Sequence, residues 1–190
     1  MAKHYTTVTV SDLATIQTNV LGVIPDDMKT SSGFTFLNRL SNTAIFDSVK
    51  NEITSFLTSE GVNEEVYDIA VYAMNGGGSF DIHTNPATAG VNAARYIIPL
   101  ESCDSMYYDF YSATAAAMAA SLVLDGTTNT YNQFDSADCT LLESAAFTDV
   151  LLTNTTAPYA PRNAGSSTAI CLSVFLDETT DLSSRIPDYV

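Results

Sequence analysis

The sequence predicts a mainly β domain carried behind an N-terminal layer of helices. Up to Gly61 the apolar residues recur at the helical period, and after it they alternate, one in and one out. Clusters of turn-forming residues then cut the chain into about eight short apolar segments, enough for two packed sheets. A chain of 190 residues can bury one sizeable core, so the expected organisation is a single structural unit. Within it, residues 1–61 form an arm and packing helices, 62–176 the β domain, and 177–190 a C-terminal arm.

Each element has a local reason. Tyr5, Val8 and Val10 alternate with threonine, which suits an extended edge strand. Ser11 or Asp12 can cap a helix whose stripe is Leu13, Ile16, Val20, Leu21 and Ile24, and Pro25 stops it. Residues 25–40 set Met28, Phe34, Phe36, Leu37 and Leu40 among turn formers, predicting a loop with buried anchors. From Asn42, the stripe Ile45, Phe46, Val49, Ile53, Phe56 and Leu57 predicts a helix closed by Gly61 and laid against the outside of a sheet. Tyr67, Ile69, Val71 and Ala73 then share one face of a strand.

Asn75-Gly76-Gly77-Gly78 supplies turn backbone, with residues 79–83 returning as the second strand of a hairpin. No lysine follows the glycines and no helix opens behind them, so they do not form a phosphate cradle. Strands are expected at 93–100 and 105–111. The excursion from 112 to 139 turns at Asp125-Gly126 and predicts a projecting hairpin. Strands at 140–143, 149–154 and 168–176 complete the set, and the polar tail with Pro187 reads as an extended arm.

Composition excludes several functions. With 22 acidic and 7 basic residues the net charge is −15, which repels phosphate backbones and anionic lipid surfaces. The N-terminal MAKHYTTVTVSD has no apolar core of the secretory kind, and no run is long and apolar enough to span a bilayer. The expectation is a protein made in the cytoplasm with no signal peptide or transmembrane segment. Cys103, Cys139 and Cys171 are odd in number and lie far apart without a Cys-x-x-Cys pair, so they read as small core residues rather than disulfides or zinc ligands.

One stretch organises the rest: FDIHTNPATAGVNAARYIIPL, from Phe80 to Leu100. A strand ends in His83-Thr84-Asn85, passes a Pro/Gly-bearing loop, and re-enters a strand at Arg95-Tyr96-Ile97-Ile98-Pro99-Leu100. Further on, an apolar segment from Val150 leads to Pro158-Tyr159, then Arg162-Asn163, then a last strand near Thr168. This order resembles the non-haem Fe(II), 2-oxoglutarate-dependent oxygenases of the prolyl and aspartyl/asparaginyl hydroxylase type, as found in phages of marine cyanobacteria. The resemblance covers residues 66–176 and implies a double-stranded β-helix, the jelly-roll, cupin-like barrel of that family. It also implies a metal held by a His-x-Asp pair at 83 and 85 and a distal His at 159, with an Arg at 168 or 169 for the co-substrate's far carboxylate.

Of those positions this chain keeps only His83. Asn85 offers a neutral amide oxygen, and Tyr159 would have to lose a proton from near ~10 to ligate. Thr168 or Ala169 cannot make the paired, charge-assisted bonds of an arginine. The expectation is therefore a degenerate metal site with vestigial positions His83, Asn85 and Tyr159, no catalytic residue, and no cofactor. Asn85 and Tyr159 are expected to satisfy the ring nitrogens of His83. Arg162 reads as a solvent-facing turn residue and His4 as a surface residue. Asp81 shares a strand face with His83, as a metal pair would, and Asp104 or Asp109 could join, but a second histidine is lacking there.

The functional expectation is a non-catalytic, oxygenase-like structural protein. As a virion component, a capsid decoration or a tail-associated protein, it would be a homo-oligomer meeting other copies or neighbouring structural proteins. The contacts would come from its termini and the 112–139 hairpin, with no nucleic acid and no membrane. Two other classes remain open: an Fe(II)/2-oxoglutarate oxygenase with an unusual site, and a small-ligand or glycan binder. The binder would use Tyr96, Tyr107, Tyr108, Phe110, Tyr111 and Tyr159 at the barrel mouth.

Overall fold

A computed structural model of the chain describes residues 4–30, 33–36, 43–59, 61, 66–84, 94–114, 118–123, 130–176 and 182–186. Among them, twelve strands form two six-stranded antiparallel sheets. The first sheet runs in the order β1 (Tyr5–Val8), β10 (Val150–Asn154), β5 (Ala94–Glu101), β12 (Ala169–Leu176), β3 (Val66–Met74) and β2 (Gly33–Phe36). The second runs β7 (Met118–Val123), β8 (Thr130–Phe134), β4 (His83–Thr84), β11 (Tyr159–Asn163), β6 (Met106–Ala113) and β9 (Cys139–Ala146).

The pairing is nested. β3 pairs with β12, β4 with β11, β5 with β10 and β6 with β9, while the chain steps from sheet to sheet between successive members of each series. One long antiparallel ribbon is thus wound on itself, and the bonds of β12 to β5 and β11 to β6 close the coils. That is a double-stranded β-helix, the fold expected.

Alternation along the strands divides the apolar residues into two bodies. Ile170, Leu172, Val174 and Leu176 of β12, with Ile98 and Leu100 of β5, face outward to meet the helices; Ala169 and Cys171, with Ile97, face into the barrel. The helical layer is α1 (Leu13–Val23), α2 (Asp26–Thr30) and α3 (Thr43–Ser59). Val20, Phe46, Val49, Ile53, Phe56 and Leu57 are buried against the first sheet, each contributing about 1.5–3 kcal/mol if fully removed from water. Gly61, at φ 74, donates its backbone N–H to the Thr58 carbonyl and ends α3 as expected. Asp12 precedes α1 but makes no side-chain cap bond.

Several local expectations are corrected. Residues 25–40 hold α2 and the edge strand β2 rather than a loop alone, because β3 offers an open edge for β2 to pair with. The Asn75 to Gly78 turn closes no hairpin; it carries the chain from the first sheet to the second, where β4 pairs with β11 and β8. The 112–139 excursion does form a hairpin, but β8 pairs with β4, so it widens the second sheet instead of projecting. Asp125 and Gly126 lie outside the described residues. β11 was missed, since Pro158 and Pro161 argue for a turn until β4 and β6 supply its partners. In the tail, Leu182 and Ile186 are buried in the helix-side core, so this part is packed rather than extended.

Two turns meet beside the barrel. Asn163 is buried; its Nδ2 donates to the carbonyls of Met74 and Ser167 at 2.9 and 2.8 Å, and its Oδ1 accepts from the Gly165 backbone N–H. Gly76 packs so closely there that a Cβ would lie 2.4 Å from the Ser166 carbonyl carbon, while Gly77 sits at φ 74 with open space around it. Gly76→Ala is therefore expected to lower the urea-unfolding free energy by ~2–3 kcal/mol through overlap with backbone, and Gly77→Ala by ~1–2 kcal/mol through conformation alone.

Candidate functional site

The inward row of the first sheet is polar at one end. Tyr5, Thr153, Arg95 and Phe175 stand opposite one another across β1, β10, β5 and β12. Arg95 is 5% exposed and reaches across the barrel, where its Nη1 donates to the hydroxyl of Tyr159 on β11 at 3.2 Å. Its guanidinium carbon lies 4.1 Å from the ring centroid of Phe175. Arg95 takes part in no salt bridge among the described residues, and its Nε has no hydrogen-bond partner among them. Among the described residues, this buried cation is met by one neutral oxygen and one ring face; the register also places Asp68 in the same inward row, opposite Phe175.

His83 and Tyr159 stand opposite each other in the β4–β11 ladder, with ring centroids 4.4 Å apart. Tyr159 stacks in turn on Tyr108, at 5.4 Å and 11° between planes, and Tyr108 meets the Tyr72 hydroxyl at 3.2 Å. Burial raises the hydroxyl pKa of Tyr159, although Arg95 pulls it back. The Nδ1 of His83 lies 2.7 Å from the Asp81 carbonyl. A carbonyl only accepts, so Nδ1 carries the proton and Nε2 keeps its lone pair. Desolvation chiefly, with the nearby charge of Arg95, lowers the imidazole to about 4 despite the Asp81 contacts, so the ring is neutral at neutral pH.

The expectation that Tyr159 satisfies a ring nitrogen of His83 is therefore corrected: the backbone of Asp81 does so, and the Tyr159 hydroxyl serves Arg95. Asn85 lies outside the described residues. Asp81 is exposed and accepts from Gln133 Nε2 at 2.7 Å, Asp104 is exposed, and Asp109 points to the opposite face of β6. There Asp109 accepts from Arg162 Nε and Ser144 Oγ, both at 2.5 Å, and Arg162 lies 4.2 Å over the Tyr107 ring. Arg162 is thus a strand residue in an ion pair outside the barrel, on neither a turn nor the co-substrate side. Thr168 bonds Asn75 at the turn, and Ala169 is packed in the barrel core.

The six aromatics proposed for a barrel mouth do not share one. Tyr108, Phe110 and Tyr159 are fully buried inside the barrel, Tyr96 faces the helical layer, and Tyr107 and Tyr111 lie on the outer face. His4 is half-buried at the barrel side, 5.5 Å from the Phe110 ring, with no partner for its Nδ1 among the described residues; it is not a surface residue. Among the thiols, Cys139 is half-exposed, while Cys103 and Cys171 are buried with sulfurs 3.4 Å apart. Sequence separation hid that contact. It arises because the bulged β5–β12 pairing brings the end of β5 onto β12.

No family model and no curated protein matches the chain. Among solved structures, a prolyl hydroxylase from Trichoplax adhaerens is similar at TM-score 0.51, with 8% identity over 92% of this chain and 84% of that one. The viral collagen prolyl hydroxylase of Paramecium Bursaria Chlorella virus-1 gives 0.47, with 11% identity over 92% and 96%. The oxalate decarboxylase of Lactobacillus farciminis gives 0.40, with 10% identity over 82% and 33%. The chain spans 24% to 33% of the length of the oxalate decarboxylases it matches. Identities this low speak of the barrel fold and not of chemistry.

The described residues do not fit the iron of the oxygenases that the sequence resembles. Among the described residues no three His, Cys, Asp or Glu side chains converge. Arg95 also fixes a positive charge beside His83 and binds the residue at the distal ligand position, so a divalent cation would meet repulsion where it needs carboxylate charge.

Two outcomes follow from this geometry. An unfolded imidazole takes its proton near pH 6.5 and the folded one near 4, so stability held above 6.5 should be lost as pH falls through 4. The loss is about 2 kcal/mol for a ring partly screened by water, read as the difference between the urea-unfolding free energies of the natural chain and a His83→Gln variant. Mild oxidation should join Cys103 to Cys171, leaving only Cys139 to be alkylated in denaturant; equal labelling of all three thiols would contradict the contact.

Proposed function

We propose that this chain is a non-catalytic double-stranded β-helix protein that works as a structural subunit, in contact with copies of itself or with neighbouring structural proteins. One observation carries the reading: the charge at the heart of the barrel belongs to Arg95, a permanent cation hydrogen-bonded to Tyr159 beside a neutral His83. Such a cluster supports packing and binding, and offers no redox centre. The outside of the second sheet supports assembly. β9 is an edge strand, and the bulge at Leu142 leaves Leu141 52% and Leu142 49% exposed; at the opposite edge Met118 of β7 is 49% exposed. Long edges with apolar side chains are templates for another chain. A virion component is the assembly we propose from the sequence resemblance, and the charge of −15 argues against nucleic acid or an anionic membrane as partner.

A second reading, a 2-oxoglutarate oxygenase with an unusual site, is favoured by one detail. His83 donates Nδ1–H to a carbonyl and keeps Nε2 free, the arrangement of a ligating imidazole. Anaerobic calorimetry with Mn(II) and then 2-oxoglutarate separates the two, run beside an Asn85→Asp, Tyr159→His double variant. The natural protein should give no binding heat; saturable binding would replace the structural reading with the oxygenase. Sedimentation should find the natural chain heavier than a monomer, and Leu141→Lys with Leu142→Lys should shift it towards the monomer.

A further inference from the structure

Where β5 turns into β6, two thiols from distant parts of the chain are in contact. The sulfurs of Cys103 and Cys171 lie 3.4 Å apart, so a movement on the order of 1 Å brings them to the ~2.0 Å of a bond. The backbone sets this contact up. Ser102, at φ 55, is the one non-glycine residue in the left-handed region among the described residues, and it turns the chain so that Cys103 faces back onto β12. There the Cys103 S–H has two acceptors, the carbonyls of Ile170 at 3.1 Å and Glu101 at 3.2 Å. The N–H of Met106 closes the turn onto the Cys103 carbonyl, and the N–H of Ala164 fastens the Ser105 carbonyl, both at 2.9 Å.

The two thiols are not equivalent. Cys103 stands at the rim, 6% exposed between the exposed Ser102 and Asp104, whereas Cys171 is closed to solvent at 0%. The S–H that Cys171 can donate lowers the Cys103 thiol, while desolvation raises that of Cys171 well above its ordinary range. A nucleophile at the entrance with a proton-holding partner behind it is the order a two-step oxidation uses. So narrow an approach admits a small oxidant and excludes a bulky disulfide. Cys139 is more exposed, but burial and the charges of Asp138 and Asp135 raise its thiol, so it serves as an internal control.

We propose that Cys103 and Cys171 form a dithiol site for small hydroperoxides, with Cys103 taking the oxygen and Cys171 closing a disulfide. The Cys103 thiolate attacks one peroxide oxygen: an S–O bond forms, the O–O bond breaks, and the departing oxygen takes a proton and leaves as water or an alcohol. Cys171 then loses its proton and bonds to the Cys103 sulfur, while the hydroxyl of the sulfenic acid leaves with a proton as water. Two thiols together give up two electrons, and one peroxide is reduced. The disulfide ties the β5–β6 turn to β12 across the whole run from β6 to β11. This goes beyond the assembly reading and uses none of the exposed edge residues on which that reading rests.

The test treats the reduced, chelator-treated full chain with hydrogen peroxide, and separately with oxidised glutathione at equal concentration, followed by alkylation in denaturant and peptide mass mapping. Peroxide should withdraw Cys103 and Cys171 from alkylation together, at least about tenfold faster than oxidised glutathione does, and dithiothreitol should restore both. The oxidised chain should unfold at a higher temperature than the reduced one. With Cys171→Ser the reaction should stop one step earlier, as a single oxygen on Cys103 that dithiothreitol removes. Cys139→Ser should change neither rate nor product. Should Cys171→Ser fail to fold, Cys103→Ser at the rim still decides: its Cys171 should stay open to alkylation after the same dose of peroxide.

Oxidation that begins at Cys139, or a disulfide that includes it, would overturn the proposal. So would oxidised glutathione that matches peroxide in rate, or a Cys103→Ser variant whose Cys171 is oxidised as fast as in the natural chain.

Discussion

A guanidinium held between two sheets is the constraint around which this barrel is arranged. Arg95 starts on β5, lies over Phe175 of β12, and ends on Tyr159 of β11, so one side chain joins both walls of the double-stranded β-helix. Its charge bears on its neighbours: it disfavours a proton on His83 and pulls down the hydroxyl pKa of Tyr159. A cation so enclosed needs an anion or a dipole field, and a divalent metal supplies neither.

The rest of the fold holds that geometry in place from outside. Nested pairing sets β4 against β11 and β5 against β10, so His83, Arg95, Thr153 and Tyr159 converge although they are far apart in sequence. Asn163 ties the end of β3 to the turn before β12, and Gly76 lets the two turns meet without overlap. On the far side, α1 and α3 cover the first sheet with apolar side chains. β1 is fastened to β10, and the amide of His4 is held by Glu143. The exposed leucines of β9 belong to the outer surface of this shell.

A barrel of this fold can stand without a metal ion. Stability of the barrel comes from its ladders and from two apolar bodies, neither of which needs the ion. Tyr159 accepts from Arg95 and stacks on Tyr108, so a hydrogen bond and ring stacking tie this position into the core. Likeness to a hydroxylase at 8% identity accordingly describes how the chain is wound.

The sequence by itself determined what depends on periodicity and local chemistry. The helical stripe closed by Gly61, the switch to alternation, most strands, and the barrel class were all legible. Tertiary structure alone decided what depends on partners. Residues 79–83 look like the return of a hairpin until β11 and β8 claim β4, and Tyr159 to Asn163 look like a turn until two neighbours make them a strand. Cys103 and Cys171 meet only because β5 and β12 are adjacent. Arg95 is the sharpest case. In the sequence it opens an apolar strand, and a charge at a strand end ordinarily reaches water; only closure of the second sheet over it turns that charge inward, where burial gives it its consequence.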